Sequence, residues 1–307
     1  MWKTRIAATL LVLVSAAHLI AWNGFGHMTV AAAAFQNLTP AARAIVTALL
    51  KLNPNYPQWV AGVAASDKDM VAFIVAATWP DAIKGMKGFK NDGDTPPPGP
   101  AAGRNIGYTD KLQHRYWHFI DTPFSPDGTP LKNPVPPNAQ TQIAAFRATL
   151  ASASAKDRLK SYDLVWLEHL VGDVHQPLHA TSRFDAAQPN GDHGGTDVRL
   201  CAAPCKDELH LFWDDVLGIS TDPLAAQTAA AALPPPDATL AAIALESTWI
   251  DESFQAAQKS VYIPPIGIGA GPFTLDATYK ADAQKLASQR VALAGARLAN
   301  LINAALK

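Results

Sequence analysis

The twelve residues EHLVGDVHQPLH, 168–179, carry three histidines and two acids among apolar neighbours. Polar groups at that density are costly to bury unless something compensates them. Read as a helix, the segment sets His169 and Asp173 one turn apart on the same side. Pro177 ends the helix, and His179 follows where the chain must turn. HLFWD repeats the spacing with His210 and Asp214. WHFID brings His118 close to Asp121, ATWPDAIK sets Asp81 beside a tryptophan, and WNGFGH supplies His27. Imidazole and carboxylate four residues apart on a helix form a geometry that zinc sites use. Zinc at a site with an open position can polarise oxygens and activate water, whereas a closed site is structural. Taken singly, each pair also fits a solvated or hydrogen-bonded role. The local pattern leaves surface decoration, a buried polar network and a metal site all open.

The elements that must position these groups read as helices. The chain of 307 residues is 49% hydrophobic and 17% charged, which suits a globular protein with a substantial core. Alanine is abundant and β-branched runs are sparse, which favours helix. HMTVAAAAFQNL reads as one helix, and Thr39 with Pro40 caps and starts the next. The helical pattern continues over 59–75, and helices are expected at 139–154, 157–176, 238–259 and 277–306. Leu286, Val291, Leu293, Leu298 and Leu301 make much of the apolar face of the last one. NDGDTPPPGPAAGR, 91–104, is a surface loop, and TPFSPDGTPLKNPVPPNAQ is a second break after residue 121. TDVRL, 196–200, is the best strand candidate. Without repeats or a visible boundary, the chain reads as one mainly α domain.

The first residues are a separate object. Lys3 and Arg5 precede IAATLLVLVSAAHLIA, an apolar stretch of 16 residues. A basic start, a short apolar core and small residues describe a secretory signal peptide better than an uncleaved membrane anchor. No second apolar run approaches the length of a span, so the mature protein is expected to be soluble. Ser15 and Ala17 give the simpler small-x-small cut, after Ala17; a cut after Ala21 would make Trp22 the new N-terminus. Removing 1–21 takes away Lys3 and Arg5 and no acid, so the formal charge moves from −1 to −3. That leaves no strongly basic surface to hold nucleic acid by itself. Cys201 and Cys205 are the only cysteines. A secreted chain permits a disulfide closing this very small loop, which is preferred to a pair of metal-ligating thiols.

In this order, WNGFGH, ATWPDAIK, WHFID, HLVGDVHQPLH and HLFWD closely resemble the secreted zinc-dependent nucleases of the S1/P1 nuclease family, from Trp22 to GARLANLIN in the final helix. The resemblance implies a single-domain helical fold of the phospholipase C/P1 nuclease type, with at most a small β-hairpin, and three zinc ions per chain. It implies that Asp81, His118, His169 and Asp173 bind the first ion, and His179, His210 and Asp214 the second. The third would take His27, a shared Asp173, and the amine and carbonyl oxygen of Trp22. An acylated backbone nitrogen is a poor ligand, so the resemblance favours the cut after Ala21. That gives a signal peptide at 1–21 and a catalytic domain at 22–307. The product would be a secreted protein, extracellular or periplasmic, monomeric and without stable membrane association. Three zinc ions outweigh three aspartates in charge, so such a site attracts phosphate without a basic surface.

The implied activity is hydrolysis of single-stranded DNA and RNA to 5′-phosphorylated products, with 3′-nucleotidase activity, by a metal-activated water. Asp81 and Asp173 would carry catalysis through the ions, and Lys84 would stand near the phosphate. Phe119 resembles the aromatic residue on which the family stacks a base, a contact of ~1–3 kcal/mol, and Asp121 would accept hydrogen bonds from the base edge. Apart from the resemblance, Lys84 also fits a solvated lysine, Phe119 a core residue and Asp121 a helix cap. Thr196 stands at a substrate contact where the family commonly has asparagine. Zinc phospholipase C shares the architecture, but commonly has glutamate where this chain has Asp214, and the WHFID pattern fits a nuclease better. A secreted zinc-binding protein without catalysis and a metal-free helical protein are the remaining alternatives.

Overall fold

The structure, a computed structural model, describes residues 22–307; the segment read as a signal peptide, with both candidate cut sites, lies outside the described residues. The first half holds α1 (Gly24–Gln36), α2 (Pro40–Leu50), α3 (Tyr56–Trp59), α4 (Lys68–Ala76), α5 (Trp79–Ala82), β1 (Pro123–Phe124) and α6 (Ala139–Ala151). The second holds α7 (Asp157–Asp173), β2 (Ser182–Arg183), α8 (Leu209–Asp215), α9 (Pro223–Ala231), α10 (Ala238–Ala241), α11 (Glu246–Ala256) and α12 (Ala277–Ala305). The fold is mainly α, with 53% helix against 3% strand among the described residues.

Local chemistry accounts for the helix starts. The Asn23 side chain accepts from the Phe25 and Gly26 amides and opens α1. Thr39 accepts from the Ala42 amide, with Pro40 in the first turn, and opens α2 as its sequence implied. Asn138 and Thr141 cap α6 reciprocally.

Helix α7 is buried continuously from Ser161 to Asp173 and touches α1, α2, α5, α6 and α12. A helix enclosed on all sides needs no single apolar stripe. Its outer part meets a cage of rings, with Trp79, Trp117 and Tyr162 all packed around Trp166; the Trp117 and Trp166 centroids are 5.1 Å apart. Alanine-rich α1 packs against α12, α9 and α4. Gly295 on α12 permits that approach, because a Cβ there would lie 2.6 Å from the Ala33 Cβ.

Three expectations are corrected. The helix foreseen over 59–75 is interrupted by turns in which Gly62 takes φ +74°. The one foreseen over 238–259 breaks after α10, and α11 continues into a π-helical turn at Ala257–Val261. TDVRL is not a strand. Amides of Val198, Arg199 and Leu200 donate to Gly195, Ala270 and Asp207 in turn, so separate segments serve its backbone. The paired strands are β1 and β2, parallel, with Pro123 opposite Ser182 and Phe124 opposite Arg183. Cys201 and Cys205 form the expected disulfide. Among the described residues no helix is long and apolar enough to cross a membrane.

Candidate metal centre

Six parts of the fold deliver eight side chains to one region. His27 comes from α1, Asp81 from α5, and His118 follows the 3-10 turn Arg115–Trp117. His169 and Asp173 stand on α7, with His179 in the 3-10 turn Pro177–Ala180 just after it. His210 and Asp214 stand on α8. Asp81 is half-buried and the rest are buried.

The side chains form overlapping groups. Asp173 Oδ2 lies 3.2 Å from His118 Nδ1 and 3.3 Å from His169 Nε2. Asp81 Oδ1 lies 3.8 Å and 3.7 Å from the same two nitrogens. The other oxygen of Asp173, Oδ1, lies 3.2 Å from His27 Nε2. One carboxylate therefore faces two groups. In the remaining group, His210 Nε2 is 3.0 Å from His179 Nε2 and 3.5 Å from Asp214 Oδ2.

Backbone carbonyls assign the ring protons. His169 Nδ1 lies 2.8 Å from the Ala77 oxygen, His179 Nδ1 2.9 Å from that of His118, and His210 Nδ1 2.7 Å from that of Gly194. A carbonyl only accepts, so each Nδ1 carries hydrogen and each neutral ring turns its Nε2 lone pair inwards. The 3.0 Å contact of His179 with His210 is thus a meeting of two lone pairs. Both oxygens of Asp173 and both ring nitrogens of His27 also lack hydrogen-bond partners.

Burial lowers His27 and His210 to about 4, and holds His118, His169 and His179 well below the ordinary imidazole range. Burial, reinforced by Asp81, raises Asp173 well above the usual carboxylate range, and burial does the same to Asp214. Protons are thus a poor source of compensation for the imidazoles. Inward-facing imidazole and carboxylate donors, with the outer nitrogens of His169, His179 and His210 hydrogen-bonded, suit a divalent metal such as zinc. Among these eight side chains, three sets have donor atoms within 4.8 Å of one another: His27–His169–Asp173, Asp81–His118–His169 and His179–His210–Asp214.

Trp22 is buried, and the following amide, Asn23 N–H, donates to the Asp214 carbonyl at 3.2 Å, so the first described residues run beside α8. A cavity of about 550 Å³ opens over the donors and is lined by Lys84, His118, Phe119, Asp121, Thr196 and His210, among others. Lys84 Nζ lies 2.6 Å from Asp81 Oδ1 with its side chain 4% exposed, which excludes the solvated reading. Phe119 is half-buried on the wall instead of sealed in the core, and the Thr196 hydroxyl has no hydrogen-bond partner. Burial pushes the Asp121 carboxyl up to about 7.

Sequence reasoning missed Arg115 and Lys132 on the same cavity wall, and Gln176 beside Asp214. Gln176 sits inside HLVGDVHQPLH, where proximity to the donors was the available signal. No curated protein matches the chain. The family model for S1/P1 nucleases matches residues 22–307.

Proposed function

The chain belongs to the S1/P1 nuclease family, hydrolases that act on the phosphodiester bonds of nucleic acids, and from that membership we propose a secreted, zinc-dependent endonuclease for single-stranded DNA and RNA. In this reading it releases 5′-phosphorylated products, also acts as a 3′-nucleotidase, and works as a monomer free of the membrane. Residues 1–21 act as a signal peptide and 22–307 as the catalytic domain.

One observation carries the metal part. Two imidazole lone pairs meet at 3.0 Å between His179 and His210, each fixed by a carbonyl behind it. Without a shared cation that contact is repulsive. Asp81, His118, His169 and Asp173 would hold one zinc ion, and His179, His210 and Asp214 another. His27, Asp173 and the Trp22 backbone would hold a third. When bound, zinc supplies Lewis acidity that polarises phosphoryl oxygens and makes water acidic enough to act as a nucleophile near neutrality.

The remaining work falls to side chains of the cavity. Lys84, anchored on Asp81, places positive charge where a non-bridging phosphate oxygen would lie. Phe119 offers a ring face to an unstacked base, which a paired and stacked strand cannot present. Below about pH 7 the Asp121 carboxyl is protonated, so it both donates to and accepts from a base edge. The unpaired Thr196 hydroxyl is available to phosphate or sugar.

The test combines composition with activity. Zinc per chain is measured in the purified protein, and cleavage of single-stranded DNA, RNA and phosphatidylcholine is assayed before and after chelation. Three zinc ions and chelator-sensitive cleavage of nucleic acid are expected. Hydrolysis of phosphatidylcholine alone, or zinc without hydrolysis, would overturn the proposal. N-terminal sequencing of the exported protein should begin at Trp22; a start at His18 would remove the Trp22 amine from the third ion.

A further inference from the structure

We propose that Gln176 is a positioning residue that aims the Asp214 carboxylate at the His179–His210 group; this rests on the metal reading above. Gln176 is fully buried between the turn after α7 and helix α8. Its Oε1 accepts from the Leu178 amide at 2.5 Å, and its Nε2 donates to Asp214 Oδ1 at 2.8 Å. The orientation of the amide follows from chemistry, because Leu178 N–H can only donate and so requires oxygen on that side. Nitrogen is then left to face Asp214.

The main chain of the same residue joins the other donors. Gln176 N–H donates to the Asp173 carbonyl at 2.9 Å, and His179 N–H donates to the Gln176 carbonyl at 3.1 Å. One residue thus ties Asp173, His179 and Asp214 into a single rigid unit.

The consequence lies at Asp214. Its Oδ1 is taken by the amide, while Oδ2 faces His210 Nε2 at 3.5 Å. The carboxylate is held to offer one oxygen and is prevented from swinging away or turning both oxygens inwards. Glutamine suits the position because the outward oxygen needs a donor and the Leu178 amide needs an acceptor. Methionine has a similar length without either function, and glutamate keeps only the acceptor.

Gln176→Met and Gln176→Glu separate positioning from capping of the Pro177–Ala180 turn. Zinc-loaded protein is titrated with a competing chelator, and the zinc released per chain is followed at pH 8, alongside the thermal midpoint. In both variants one zinc equivalent should dissociate about 10- to 100-fold more readily than in wild type, with the others unchanged. A parallel shift of every equivalent would reveal general loosening and overturn the proposal. Wild-type release from Gln176→Glu would overturn it equally, by showing that the Leu178 contact alone matters. If Gln176→Met fails to fold, Gln176→Glu decides, since it preserves the acceptor for Leu178. Wild-type protein that holds no zinc would instead bring down the metal reading itself.

Discussion

Gly172 on α7 leaves the space that His27 of α1 occupies: a Cβ at residue 172 would lie 2.9 Å from His27 Nδ1 and 3.2 Å from its Cε1. Alanine normally stabilises a helix interior over glycine by about 1 kcal/mol. Here the sign should reverse, because the ring is buried and cannot retreat without moving its Nε2 from Asp173. Gly172→Ala should lower the thermal midpoint and weaken metal retention together. A rise in midpoint with unchanged metal content would refute this role for the glycine.

Metal removal should cost stability as well as activity, because donors arranged around a cation repel one another without it. A ligand that binds only the folded state at 100 times its dissociation constant adds about 2.7 kcal/mol. Chelation should therefore lower the thermal midpoint, and added zinc should restore it in a concentration-dependent manner. In His210→Ala one of the facing lone pairs is gone, so the chelator-induced shift should shrink. Equal shifts in wild type and variant would contradict the role given to the His179–His210 contact.

Asp163 supplies a stability test away from the donors. Burial pushes its carboxyl up to about 7, although Asn105 Nδ2 lies 2.7 Å from both of its oxygens. The folded state then holds a proton that the unfolded chain releases near the ordinary value of 3.8. The stabilisation is fully present below the unfolded value and is lost as pH rises towards about 7. Each pH unit crossed costs about 1.4 kcal/mol. Asp163→Asn keeps the shape without the proton, so its stability relative to wild type should grow between pH 4 and 7 and level off above. Denaturant melts at several pH values would show a flat difference if the proton is not there.

Phe119 should act on substrates that carry a base and spare those that do not. Loss of stacking costs about 1–3 kcal/mol, roughly 5- to 150-fold. Phe119→Ala should reduce kcat/KM on single-stranded oligonucleotides by that factor, with little change on bis(p-nitrophenyl) phosphate. Phe119→Trp should retain most of the oligonucleotide activity. Equal losses on both substrates would return the ring to a packing role.

The sequence alone determined the donor types, their pairing along helices and the mainly helical class. The turn of a helix is a local property, so His169–Asp173 and His210–Asp214 are legible as facing pairs before anything is folded. Order of motifs and the family they resemble named the partners of those pairs, from His27 to Asp214. Only tertiary structure decided which atom of each partner faces inwards. His118 turns Nδ1 towards Asp173 whereas His169, with Nδ1 committed to the Ala77 carbonyl, turns Nε2, and a carbonyl from a distant segment has no signature near the histidine it binds. The same holds for the two groups that Asp173 faces, the grip of Gln176 on Asp214, and the break after α10, where Arg297 and Asn300 of α12 donate to the Leu240 and Ala241 carbonyls. Each depends on contacts between segments far apart in the chain, and no periodicity along one segment encodes what packs against it.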